Sequence, residues 1–140
     1  MINAISIYRL AHYLYLKKIP ILPKILKLII FIFYNSSIPF EAKIGKGTFL
    51  GYGGISVIIH KHAIIGDNVN IGAHVVIGGR SDLEEVPMIK NNVLIGAGAK
   101  ILGNVIIENN VKIGANAVVI TNVPEGCTAV GIPAKIIKNA

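Results

Sequence analysis

The chain has no tryptophan, a single cysteine and only 6% aromatic residues. Charge is also scarce, at 15% of residues, and acids number 7 against 14 bases. Each shortage excludes something. Cys127 has no partner for an intrachain disulfide, so no internal crosslink holds the fold, and a reducing cytoplasm is the expected setting. It lies in Glu125-Gly126-Cys127, away from any histidine in sequence, which makes it a poor nucleophile candidate. Few aromatics and no long basic stripe argue against a nucleic-acid surface. Long apolar runs are missing as well. Pro20, Pro23, Lys24 and Lys27 interrupt the N-terminal part, and its longest strongly apolar run, Leu28–Tyr34, is too short to span a bilayer. No small-residue cleavage site follows that run, so a secretory signal is not expected.

What is present is a period of six. Ile59, Ile65, Ile71, Ile77, Leu83, Ile89, Ile95, Ile101, Ile107, Ile113 and Val119 form an unbroken aliphatic column. A second column, four residues further on, holds Ala63, Val69, Val75, Ser81, Pro87, Val93, Ala99, Val105, Val111 and Ala117. Six is neither the period of a helix nor that of a simple strand. A hexad of this kind is one short strand plus one turn, with the aliphatic side chain inside and its neighbours outside. Three hexads make a triangular coil. Coils stack at the strand spacing of about 4.8 Å, and several are needed because one cannot bury its own interior. The pattern predicts an all-β fold, a left-handed parallel β-helix of about five coils. Asn68, Asn92, Asn110 and Asn116 suit turns at positive φ. An earlier run, Ile38, Ile44 and Leu50, lies three residues out of phase, which places a bulge or short loop in Gly51–Ile58.

At 140 residues the chain makes one compact unit. Its expected division is a short helical segment over 1–37, the β-helix over 38–123 and a tail over 124–140. Residues 1–37 hold Arg9, Lys17, Lys18, Lys24 and Lys27 and no acid. Two helices are expected there, about Ile5–Leu16 and Lys24–Tyr34. They would cap the open end of the first coil, or lie as basic, apolar helices on an anionic membrane surface at the inner face.

Several stretches resemble a known family. Ile7-Tyr8-Arg9-Leu10-Ala11-His12-Tyr13-Leu14 and Ile38-Pro39-Phe40-Glu41-Ala42-Lys43-Ile44-Gly45-Lys46-Gly47 are similar to the segment leading into the β-helix of bacterial serine acetyltransferases. Ile95-Gly96-Ala97-Gly98-Ala99-Lys100-Ile101-Leu102-Gly103-Asn104 is similar to that family's acetyl-CoA wall. Val130-Gly131-Ile132-Pro133-Ala134-Lys135-Ile136 resembles the tail found across hexapeptide-repeat acyltransferases. The resemblance covers nearly the whole chain. It implies an acetyl-CoA-dependent acyltransferase, without a metal, working as a homotrimer with sites between subunits. Three departures accompany it. The family carries a large helical domain ahead of the matching segment. It has an Asp-His pair where this chain has Leu50-Gly51-Tyr52-Gly53-Gly54. It has a His before Pro where this chain has Val86-Pro87. The expected acceptor therefore moves from serine to a hydroxyl of a sugar or surface-glycan precursor. Serine O-acetylation and a non-catalytic β-helix scaffold are the alternatives.

Acetyl transfer from a thioester to a hydroxyl needs a base, an oxyanion donor and close alignment of the two substrates. Histidine suits the base because it titrates near neutral pH. His60 leads, since it takes the slot that glycine holds in most hexads. His74 and His62 follow, and all three are expected to line the groove between subunits. His12, in the helical segment, is expected to pack or cap. A metal held by His60 and His62 lacks a third ligand nearby. By the resemblance, coenzyme A lies against Gly96, Ala97, Gly98, Ala115 and Ala117. Lys135 takes its phosphates, with Lys100 or Lys112 behind. The loop Gly79–Pro87 is the most charged part of the repeat region. Arg80, Asp82 and Glu84 are expected to reach the acceptor, because functional groups gather on loops carried by a rigid scaffold.

Overall fold

The computed structural model describes residues 2–139. Its repeat region is a triangular prism of short parallel strands. Face one stacks β1 (Lys43–Ile44), β4 (Ile64–Ile65), β7 (Met88–Ile89) and β10 (Ile106–Ile107). Face two stacks β2 (Phe49–Leu50), β5 (Asn70–Ile71), β8 (Leu94–Ile95), β11 (Lys112–Ile113) and β13 (Thr128–Val130). It ends on β14 (Lys135–Ile137), which returns antiparallel to β13. Face three stacks β3 (Ile58–Ile59), β6 (Val76–Gly78), β9 (Lys100–Leu102) and β12 (Val118–Val119). The result is four complete coils, with Val123, bridged to Ile107 on face one, and then β13 on face two opening a fifth.

The register explains the hexad. Ile59 pairs with Ile77 and Ile77 with Ile101, so inward side chains sit above one another. Ile59, Ile65, Ile71, Ile77, Ile89, Ile95, Ile101, Ile107, Ile113 and Val119 are all buried. Burying each such side chain contributes about 1.5–3 kcal/mol before entropy is subtracted. Side-chain amides and carboxylates tie coils together at the edge between faces one and two. There Asp67 accepts from the Lys46 amide at 3.0 Å, Asn91 from Asp67 at 2.8 Å and Asn109 from Asn91 at 2.9 Å. Asn68, Asn92, Asn110 and Asn116 have φ of 56–63°, the left-handed turns expected of them.

One position departs from the column. Leu83 is 40% exposed and lies outside any strand. Ile77 on face three is followed directly by Ile89 on face one, and the intervening hexad leaves the prism as a loop. An insertion of one whole period keeps the later hexads in phase, so the sequence column runs through it without a slip. The phase break before Ile59 is instead a 3-10 turn at Gly51–Gly54, with Tyr52 at φ 51° and Gly53 at φ 76°.

Two helices precede the prism, α1 (Ala4–Leu16) and α2 (Leu22–Tyr34). Asn3 caps α1 by accepting from the Ile5 amide at 3.0 Å and donates to the Leu50 carbonyl at 2.7 Å. Tyr8 donates to Ala42 O, and Arg9 to Ile44 O and Gly45 O. His12 Nδ1 lies 2.7 Å from Phe40 O, and the ring stacks on Tyr8. The first coil has no coil above it to receive these carbonyls, and α1 supplies the missing donors from its side chains. His12 thus serves the packing role expected of it.

Candidate functional site

The three edges of the prism differ in chemistry. The edge from face two to face three is built from small residues. At that edge Gly72, Gly96 and Gly114 lie one above another, and a Cβ on Gly96 would fall 2.6 Å from the Ala115 amide nitrogen. Only glycine lets the coils approach this closely. Ala97, Gly98 and Ala115 continue the same smooth surface, but Ala117, expected against coenzyme A as well, points into the prism and is fully buried, because it belongs to the small inward column of the repeat.

His74 stands on this edge. It occupies the left-handed turn position, φ 61°, that Gly98 and Asn116 fill in the coils below. Histidine is among the few residues that tolerate this conformation. Its side chain is exposed and lines an open cavity of about 440 Å³ with Tyr52, Ile55, Ala73 and Ala97. Lys100 Nζ donates to Gly98 O at 2.6 Å and reaches His74 O at 3.3 Å, which places a cation beside the wall. Lys135 opens β14, where the tail turns back at the bottom of the same edge, and it is exposed. Tyr52, missed in the sequence reading as a site residue, is 83% exposed and closes the upper side of the cavity. Its only signal in the sequence is that it falls where the resembled family has its Asp-His pair.

The edge from face three to face one carries the other candidates. His60 is half-buried at the root of the loop, beside Gly79. Its Nδ1 accepts from the His62 amide at 3.1 Å. A backbone amide can only donate, so in the neutral ring the proton sits on Nε2 and the Nδ1 lone pair is already engaged. His60 thus has one ring nitrogen already engaged in a local bond. His62, exposed, faces a separate cavity of about 450 Å³ with Tyr15, Glu41, Lys43, Lys61 and Ile64. The loop projects as expected: Arg80 and Asp82 pair at 3.6 Å in exposed positions, and Glu84 is exposed too. Arg80 and Leu83 fold back over Gly103 on the coil below.

Within one chain, then, His60, His62, Arg80, Asp82 and Glu84 share one edge. His74, Ala97, Gly98, Ala115 and Lys135 share another. The three histidines do not converge in a single protomer. Among the described residues, no group of three or more His, Cys, Asp or Glu side chains is placed to hold a metal ion.

Comparison with known proteins accords with this architecture. A family model described as bacterial transferase hexapeptide (six repeats) matches residues 87–121. A serine acetyltransferase of Synechococcus elongatus is 40% identical over 137 residues, covering 96% of this chain and 56% of that protein. The serine acetyltransferase of Helicobacter pylori strain J99 is 39% identical over 138 residues, covering 97% of this chain and 80% of its own. A solved serine acetyltransferase in complex with CoA superposes with a TM-score of 0.86 at 37% identity, over 96% of this chain and 55% of that one. The chain thus spans little more than half of some relatives and four fifths of another. Likeness at this level, running through both helices, the prism and the tail, is more than shared architecture, and the chain belongs to the serine acetyltransferase family of hexapeptide-repeat transferases.

Proposed function

We propose that the protein is an acetyl-CoA-dependent O-acetyltransferase whose acceptor is serine. The sequence alone pointed to a sugar or surface-glycan hydroxyl. That reading is corrected here, because the relatives that match almost the whole chain are serine acetyltransferases. The observation that carries the proposal is the edge on which His74, the glycine-alanine wall and the turning tail coincide, in a chain whose structural neighbour holds CoA.

His74 is the base in this reading, in place of His60. Its ring lines the cavity and is free of the local bond that occupies His60. It takes the proton of the acceptor hydroxyl as the oxygen attacks the thioester carbonyl. The C–S bond then breaks, and the imidazolium returns the proton to the departing thiolate, so no covalent enzyme intermediate forms. The Tyr52 hydroxyl, at the same cavity, is the candidate donor to the developing oxyanion. The wall lets the pantetheine arm lie against backbone amides and carbonyls. Lys135 and Lys100 supply cations for the phosphates. Assembly as a homotrimer belongs to the same reading. With the prisms side by side, the His74 edge of one protomer would face the loop of the next, and Arg80, Asp82 and Glu84 would then touch the acceptor. Cytoplasmic placement fits the substrates and the lone Cys127.

A second reading rests on one observation: Gly51-Tyr52 and Val86-Pro87 stand where the resemblance places the family's histidines. In it the prism binds coenzyme A without turnover. Two measurements separate the readings. Thermal shift with acetyl-CoA detects binding, since a ligand of the folded state raises its apparent stability. Thiol release in the presence of serine, set against sugars and nucleotide sugars, reads the acceptor. Release with serine, lost in His74→Ala, establishes the first reading. A thermal shift with no release for any acceptor establishes the second.

A further inference from the structure

The outer face of α2 has no partner in the fold. Only Pro23, Ile30 and Tyr34 of this helix are buried. On the opposite side Ile25, Leu28 and Ile32 follow one another at helical spacing and are 46%, 54% and 63% exposed. Phe31 and Phe33 flank them and are exposed as well. An apolar surface of this size on a soluble chain marks a contact site. Its surroundings carry one sign of charge. Lys24 lies on the helix beside the apolar stripe, Lys27 one turn on, and Lys17 and Lys18 in the connection from α1. The first acid in the chain is Glu41.

We infer that α2 docks on an anionic lipid surface, lying in the interface with Ile25, Leu28 and Ile32 among the acyl chains and the lysines at headgroup level. The charge decides among occupants. A second copy packed stripe to stripe would bring the two Lys24 side chains, which border the stripe, together at the contact, with no acid in residues 1–37 of either chain to offset them. An anionic bilayer satisfies both the apolar stripe and its cations, and the aliphatic stems of the lysines can follow the stripe while their ammonium groups stay in the headgroups. Length excludes spanning. At 13 residues α2 is about 20 Å long against a hydrocarbon core of about 30 Å, and no described helix is long and apolar enough to cross a membrane. The inference does not depend on the acetyltransfer reading. The helix packs on α1, and none of its residues lines the cavity at His74.

The test is co-sedimentation of the full chain with vesicles of phosphatidylcholine alone or with about 30% phosphatidylglycerol. Binding is expected only to the anionic vesicles and should fall as salt is raised. Leu28→Ser with Ile32→Ser should abolish it. Lys24→Gln with Lys27→Gln should weaken it by about thirtyfold, given the usual attraction per cation near such a surface. Lys24, Leu28 and Ile32 are exposed and Lys27 is half-buried with no partner among the described ion pairs, so far-UV circular dichroism should be unchanged. If the serine pair fails to fold, the glutamine pair and the two lipid compositions still decide. Equal binding to neutral vesicles overturns the inference. So does no binding to either, including the case in which the apolar face instead drives association of the chain with itself.

Discussion

Two edges of one prism, made by the same six-residue rule, have opposite chemistry. Between faces two and three the turns are short and small, and the backbone itself is the surface. Between faces three and one the turn after Ile77 swells by a full period into the loop that carries Arg80, Asp82 and Glu84. The first edge is constrained from within, because a side chain added at its glycines collides with the coil below. The second is constrained only at its root. The lesson is that a repeat fixes where side chains point and leaves the turns free to specialise.

Activity gives the largest expected contrast. His74→Ala should lower turnover about 10²–10⁴-fold, while His60→Ala should leave it within a few-fold. The reverse order in a steady-state thiol-release assay would move the base to the loop edge. Next come two members of the same aliphatic column. Ile101→Ala, in the filled interior, should cost about 2–5 kcal/mol in a denaturant titration. Leu83→Ala should cost less than about 1 kcal/mol, since that side chain is half outside. Equal losses would put Leu83 back in the prism.

Glycines sharpen the same contrast. Gly98 has φ 77° and its Cβ would lie 2.0 Å from Asn116 Oδ1, so Gly98→Val should cost about 3 kcal/mol and abolish the acetyl-CoA thermal shift. At the root of the loop, Gly79 meets nothing closer than 3.7 Å, and Gly79→Ala should stay within about 0.5 kcal/mol. The smallest effect is alkaline. Burial pushes the Tyr8 phenol from 10.0 up to about 12. The unfolded chain therefore loses this proton first. Stability should be unaffected by Tyr8 below pH 10.0 and decline as pH rises from there to about 12. Tyr8→Phe should flatten that decline in melting temperatures taken across the range, although it starts from a less stable protein because Ala42 O loses its donor.

Much of this was readable from the chain. The period named the prism because an inward side chain every six residues has no other simple home. The phase slip before Ile59 located the turn at Gly51–Gly54, and both helices lie where they were expected, although the second begins at Leu22 and takes Pro23 into its first turn. Leu83 misled because an inserted period is invisible to a periodicity. His60 gives way to His74 in the proposed reading for a different reason. Its place in the repeat is unusual, as the sequence says, but the bond from the His62 amide that occupies its ring depends on the local turn, which composition does not reveal. Tyr52 gave no signal of its own. Its approach to His74 comes from stacking residues of two different coils.

The donors that α1 lays on the first coil have one more effect. Parallel strands whose rims stayed bare would invite the next molecule to continue the stack, and a solution of such chains would string into filaments. Here Tyr8, Arg9 and Asn3 claim the acceptors at one rim, and the reversed strand β14 covers face two at the other. How tall the prism grows is thus decided at its two ends, so adding or removing one whole coil in the middle would change its height without unsealing either end.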